Sequence, residues 1–178
     1  MLAELVNYAG EGMPHYFWTQ MATDGQDPWE VGRARQAAKT QDDSAQIVVF
    51  DHGAGAVAGL TGYPIPPVPS PIDDDIPPII RPLQELENLA PSTWYVNVLA
   101  AKPADRGKGA GSRLLALAED IAAAEGLSEM SIIVADNNTG ARRLYERIGY
   151  REKASRPMVK ADWQSDGTAW VLLTKPLG

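Results

Sequence analysis

"NVLAAKPADRGKGAGSRLLALAE", residues 97–119, joins an extended run to a glycine-rich turn and then to a leucine-rich helical pattern. The extended run begins upstream as "TWYVNVLAA" (93–101), whose β-branched and aromatic residues predict a strand ended by Lys102 and Pro103. In the turn "RGKGAG" (106–111), three glycines occupy five positions, and each gives up more backbone freedom on folding than another residue would. A strand, a glycine turn and a helix together make a phosphate-binding arrangement. Glycine lets the backbone approach a ligand, and the first N–H groups of the helix have no intrahelical partner. Residues Gly107, Lys108, Gly109, Ala110, Gly111 and Ser112 are therefore candidates to hold an anion, with Arg106 and Lys108 adding charge. A surface turn with solvated Arg106 and Lys108 is the alternative. The Walker pattern is absent, and the dinucleotide fingerprint fails because Ser112 stands where its last glycine belongs.

Working outward, Leu114, Leu117, Ala118 and Ile121 predict one apolar helix face, with Gly126 as the stop. "MSIIVAD" (130–136) reads as a buried strand, and Asn138 or Thr139 caps a helix running to about Ile148, before Gly149. Two last strands are expected over 150–159 and 168–173. Toward the N-terminus, "AQIVVFD" (45–51) and "AVAGLTGY" (56–63) predict an antiparallel hairpin joined by "HGAG". Asp27 and Pro28 open a helix to about Ala38, and Leu2, Leu5, Val6 and Ala9 mark another. Eight of the fourteen prolines fall between Tyr63 and Pro82, which predicts a packed surface loop, and "LQELENLA" follows as a short helix. The alternation predicts an α/β fold with helices on both faces of a sheet.

The block "NVLAAKP", "RGKGAG", "SRLLALAE", "SIIVADN", "NTGARRLYE", "GY", residues 94–150, resembles the GNAT superfamily of acetyl-CoA-dependent acyltransferases. The family's loop reads Arg or Gln, two residues, Gly, one residue, then Gly or Ala, and here Arg106, Gly109 and Gly111 fill it. Its second motif, Asn, two residues, Ala, two residues, Leu-Tyr-Glu, two residues, Gly and an aromatic, is matched from Asn138 to Tyr150.

The resemblance implies a single domain over 1–178 with a mixed, mostly antiparallel sheet and acetyl-CoA as donor. It implies that Leu99, Ala100 and Ala101 present backbone groups to the pantetheine arm, and that residues 107–112 wrap the pyrophosphate. Asn138 would hydrogen-bond the cofactor arm or cap its own helix, and Ala141 would allow close approach or simply pack. Tyr145 stands where the family places a tyrosine that protonates the leaving thiolate, packing being the alternative.

Two departures stand out. Where some members carry a basic glutamate this chain has Ile133, so the base is open among Glu87, Asn97 and Asp136, with His15 a further possibility. The family's usual first strand is missing ahead of the first helix, which favours a homodimer through a sheet edge.

Bulk properties narrow the partners. A net charge of −7 argues against nucleic acid, and no stretch approaches the roughly 20 apolar residues of a membrane span. No cysteine is present to carry an acyl group, and the composition fits a cytoplasmic protein. The expected activity is direct transfer of an acetyl group to an amine of a small molecule or peptide. A non-catalytic acyl-CoA sensor of the same fold is the alternative. "MPHYFW" (13–18) either lines an acceptor pocket or packs the core, and Asp73 to Asp75 either attract a cationic amine or lie solvated.

Overall fold

Proline and glycine punctuate this chain, and its elements start and stop on them. The structure, a computed structural model, describes residues 1–41, 45–53 and 55–178. In chain order the elements are α1 (Leu2–Ala9), α2 (Met13–Met21), α3 (Pro28–Lys39), β1 (Gln46–Asp51), β2 (Ala56–Pro64), α4 (Arg81–Glu87) and β3 (Trp94–Ala101). Then follow α5 (Ala110–Ala124), β4 (Glu129–Ala135), α6 (Thr139–Arg147), β5 (Arg151–Pro157) and β6 (Ala169–Pro176). The six strands form one mixed sheet in the order β1-β2-β3-β4-β6-β5. The chain divides into two compact units, Met1–Gly62 with Val98–Leu115, and Tyr63–Asn97 with Ala116–Gly178.

In the first unit, Asp27 accepts the Trp29 N–H at 3.0 Å and Pro28, with no N–H to satisfy, opens α3. The "MPHYFW" segment forms α2, with Met13 and Trp18 buried. Trp18 lies 5.5 Å from Trp29 and His15 lies 4.9 Å from it, ring to ring, so these aromatics join α2 to α3. Gly32 permits that approach: a Cβ there would stand 2.5 Å from the Trp18 ring. β1 and β2 pair antiparallel from Gln46↔Gly62 to Asp51↔Ala56, with a bulge at Phe50/Asp51. Asp51 closes their turn by accepting the N–H groups of Gly53 and Gly55, while Ala54 of the "HGAG" turn lies outside the described residues.

In the second unit, β4 pairs parallel with β3 at Trp94↔Met130 to Val96↔Ile132, and antiparallel with β6 from Glu129↔Pro176 to Ala135↔Trp170. β5 pairs antiparallel with β6. Leu86, Trp94, Met130, Tyr150, Leu172 and Leu173 are fully buried between these strands and the helices that cover them. Thr93 and Ser131 share a buried hydrogen bond of 2.6 Å, which satisfies two hydroxyls otherwise costly to bury. The short helix α4 starts two residues earlier than the sequence predicts, because Pro82 fits a first helical turn.

One expected face needs correction. Leu117 is 43% exposed, and the buried residues of α5 are Ala110, Leu114, Leu115, Ala118 and Ala122. The stripe is rotated by about one position from the one the leucines suggest, because periodicity alone does not choose between neighbouring stripes of a helix this apolar.

Two glycine-to-alanine substitutions in helices should have opposite signs. Gly140 of α6 has nothing within 4 Å of a Cβ, so Gly140→Ala should raise stability by about 0.5–1 kcal/mol. Gly32→Ala drives a methyl into the Trp18 ring, and overpacking of about 1–3 kcal/mol should outweigh the helix-propensity gain. Denaturant melts of the two variants check the pair; equal shifts in the same direction would contradict it.

Candidate active site

A chain that must turn tightly and then begin a helix needs backbone conformations that side chains resist. Gly107 has φ 75° and Gly109 φ 86°, both in the left-handed region. A Cβ at either position would meet nothing within 4 Å, so backbone geometry and not crowding demands these glycines, and the space beside them is open. The Gly109 carbonyl accepts the Arg113 N–H at 3.2 Å and so begins α5. Ala110, Gly111 and Ser112 stand in the first turn of this 15-residue helix, where N–H groups lack intrahelical acceptors and the dipole is positive. Arg106 donates from Nε to the Ala101 carbonyl at 3.3 Å, and its guanidinium lies 5.7 Å from the Tyr8 ring centre. Lys108 pairs with Asp105 at 2.8 Å and holds that carboxyl below its usual range. Leu99, Ala100 and Ala101 are half-buried at the end of β3.

In the second unit, Asn138 caps α6 by accepting the Ala141 N–H at 3.2 Å. Ala141 is half-buried one turn later. Tyr145 is buried on the same helix, with its ring 5.9 Å from that of Tyr150. Burial pushes the Tyr145 phenol well above its ordinary value, so its hydroxyl stays protonated.

The base candidates separate on their surroundings. Asp136 accepts from the Thr168 hydroxyl and from the N–H groups of Thr168 and Asn137, which lowers its carboxyl and makes it a poor base. Asn97 bonds Tyr95 through a side-chain amide that has no basicity. His15 packs between indoles. A cavity of about 390 Å³ near α1 and α3 is lined by Glu4, Asn7, Tyr8, Asp27 and Trp29, among others, and by no residue of "MPHYFW". Asp74 pairs with Arg81 at 3.7 Å, and among the described residues no cluster of acidic or histidine side chains suits a metal.

Glu87 differs from all of these. It is half-buried at the end of α4, and the Tyr63 hydroxyl donates to its Oε2 in a long hydrogen bond of 3.5 Å. Burial raises its carboxyl to about 7, and the Tyr63 bond only partly offsets this. The Tyr63 and Tyr95 rings meet edge to face at 5.4 Å. Burial raises the Tyr95 phenol, with Glu87, Tyr63 and Tyr145 adding to the effect, so the three phenols and the carboxylate form one electrostatic cluster. No motif marks Tyr63 or Tyr95; the alternation of their strands is the only sequence trace they leave.

Comparison with known proteins adds a family to this geometry. The model of the acetyltransferase (GNAT) family matches residues 13–150. An uncharacterized N-acetyltransferase of Bacillus subtilis, YhfO, is 41% identical over 59 residues, a match that spans 33% of this chain and 40% of that relative. Among solved structures, a GNAT-family acetyltransferase from Desulfovibrio desulfuricans superposes with a TM-score of 0.58 at 15% identity, covering 99% of this chain and 92% of the other. A GNAT-family acetyltransferase from Elizabethkingia anophelis with acetyl-CoA bound gives 0.56 at 17% identity, covering 88% and 95%. These likenesses support the mixed sheet and its helices.

The raised Glu87 carboxyl has a consequence for stability. Its folded value lies above the ordinary 4.5, so the folded state holds a proton that the unfolded state has released between pH 4.5 and about 7. Stability from this group is therefore fully present below that window and falls as pH rises through it. Glu87→Gln should melt higher than wild type at pH 8, and the difference should vanish toward pH 4.5. A difference that is constant across thermal melts from pH 4.5 to 8 would refute the burial argument.

Proposed function

The chain belongs to the acetyltransferase (GNAT) family, and from that membership we propose that it moves an acetyl group from acetyl-CoA directly to an amine of a small molecule or peptide. The observation that carries this reading is the open glycine turn at the start of α5, with Gly107 and Gly109 in left-handed conformations and no atoms crowding them. A pyrophosphate is the anion that suits a row of unpartnered N–H groups at a helix start. Residues 107–112 would hold it. Arg106 and Lys108, each engaged within the loop region, contribute positive potential more than direct reach. The backbone of Leu99, Ala100 and Ala101 would orient the pantetheine arm, and Asn138 and Ala141 would bound it.

Tyr145 acts on the leaving sulfur. A thiol ionises near a pKa of about 8.5 and a free phenol near about 10, so even an unperturbed tyrosine gives up its proton to a thiolate unwillingly. Burial raises the Tyr145 phenol further. Its contribution is thus a hydrogen bond that strengthens as charge builds on sulfur, which stabilises the transition state without full proton transfer. With no cysteine in the chain, transfer within a ternary complex of donor, acceptor and enzyme is the consistent route. The alternative, an acyl-CoA sensor without chemistry, draws on Ile133 standing where some relatives carry a glutamate.

Release of free thiol from acetyl-CoA over a panel of primary amines tests transfer against sensing: binding without release for every amine would support the sensor. Gly109→Val blocks the approach to the turn and strains a backbone at φ 86°. Its affinity for acetyl-CoA should fall by at least about tenfold, or roughly 1.4 kcal/mol, in calorimetry on a folded variant. Unchanged affinity would remove the turn from the donor site. Tyr145→Phe deletes only a hydroxyl, so KM for acetyl-CoA should stay near wild type while kcat drops by at least about tenfold. Because the phenol stays protonated below pH 10, the variant's pH profile should keep its wild-type shape. An unchanged kcat would make Tyr145 a packing residue.

A further inference from the structure

Acetyl transfer to an amine needs a group that removes the acceptor's proton, because a primary ammonium has no lone pair with which to attack. In this chain the position some relatives use is Ile133, which offers none. Several carboxylates of the second unit are engaged: Glu85 with Arg156 at 2.8 Å, Glu152 with Arg142 at 2.8 Å, Glu119 with Lys175, and Asp136 with Thr168. Glu87 is half-buried and among the described residues no cation pairs with it. Its neighbours are phenols: the Tyr63 hydroxyl 3.5 Å from Oε2, and the Tyr95 ring against the Tyr63 ring. A half-buried carboxylate beside aromatic rings attracts an alkylammonium twice over, through charge and through the ring faces.

We propose that Glu87 is the catalytic base of the acetyl transfer, its carboxylate receiving the acceptor's ammonium group beside Tyr63 and taking its proton. The proposal rests on the transferase reading above and extends it to the acceptor side. One N–H proton passes to a Glu87 oxygen and on to water. The freed nitrogen lone pair forms the C–N bond to the acetyl carbon as the C–S bond breaks, its electron pair leaving on sulfur, where Tyr145 donates a hydrogen bond. The second N–H proton, lost as the amide forms, ends on the thiol.

The surroundings fit this task. α4 packs against β4, β5 and β6. On those strands Arg156 is taken by Glu85 and Lys175 by Glu119, and Arg151 donates to the Glu146 and Tyr150 carbonyls. Lys153 is exposed, Glu152 is held by Arg142, and Glu129 begins β4 opposite Pro176. No cation therefore holds Glu87 ionised, and its carboxyl titrates near 7, driven by burial and opposed by Tyr63. That is within about one unit of a peptide α-amino group, near 7.7–8.0, and about three below a lysine-type amine, near 10.4.

The test uses thiol release from acetyl-CoA with two kinds of acceptor, peptides with a free α-amino group and N-blocked peptides with a free lysine, followed from pH 5.5 to 9. The acceptor turned over by wild type identifies the amine. For it, Glu87→Gln should lower kcat/KM at pH 7 by about 10²-fold or more, flatten the ascending limb and leave acetyl-CoA affinity unchanged. Tyr63→Phe removes a bond that lowers the Glu87 carboxyl, so it should move that limb to higher pH, a shift that lost packing would not produce. A wild-type rate and limb in Glu87→Gln would overturn the assignment while leaving the transferase reading intact. A limb that stays in place in Tyr63→Phe would likewise overturn it. Wild type that binds acetyl-CoA but releases thiol with neither kind of peptide and with no small primary amine would overturn both.

Discussion

The start of α5 is the constraint on which the first unit turns. A helix can offer its first N–H groups to a ligand only if the preceding backbone bends away and no side chain covers them. At Gly109 the chain meets both demands, with a left-handed φ of 86° and empty space where a Cβ would stand. The same residue's carbonyl anchors Arg113 and commits the chain to helix from Ala110. One position thus carries a conformational requirement, a hydrogen bond and an opening, which is why a short motif is so informative there.

The legible parts of the sequence were those in which cause and effect lie within a few residues. Asn138 caps the helix it precedes, Asp27 and Pro28 open theirs, and Gly126 and Gly149 take the left-handed turns that end α5 and α6. The hairpin at 46–64 follows from two apolar runs and a glycine turn. Less legible was α2, where residues 13–18 are nearly all aromatic or apolar and no stripe stands out. The buried stripe of α5 was misread by about one position for a related reason, Leu117 being as apolar as Leu115 yet exposed. The Glu87 environment was beyond reach altogether. Tyr63 is 24 residues from Glu87, across the proline-rich stretch, and nothing local announces that a phenol will meet that carboxylate. Sequence reasoning placed Glu87 among three candidates; burial separates it from Asp136, whose carboxylate is met by the Thr168 and Asn137 donors.

The distribution of cations reflects a general economy of charge. An acidic chain has more carboxylates than cations to serve them, and those closest to Arg and Lys settle into ion pairs. A carboxylate left with phenols is costly for the fold at neutral pH and, for the same reason, reactive toward protons. Functional groups and stabilising groups thus sort themselves by what stands beside them rather than by residue type.

The phenols of the second unit carry a consequence at the other end of the pH scale. Four of the six tyrosines, Tyr63, Tyr95, Tyr145 and Tyr150, are raised well above the ordinary phenol by burial. In the unfolded chain all four would ionise near about 10, so above that pH the native state alone keeps their protons and loses stability as alkali increases. The fold's limit in base is therefore set by its aromatic interior. Its collapse there is self-reporting, since the tyrosinate absorbance of these four rings emerges with the loss of structure instead of ahead of it.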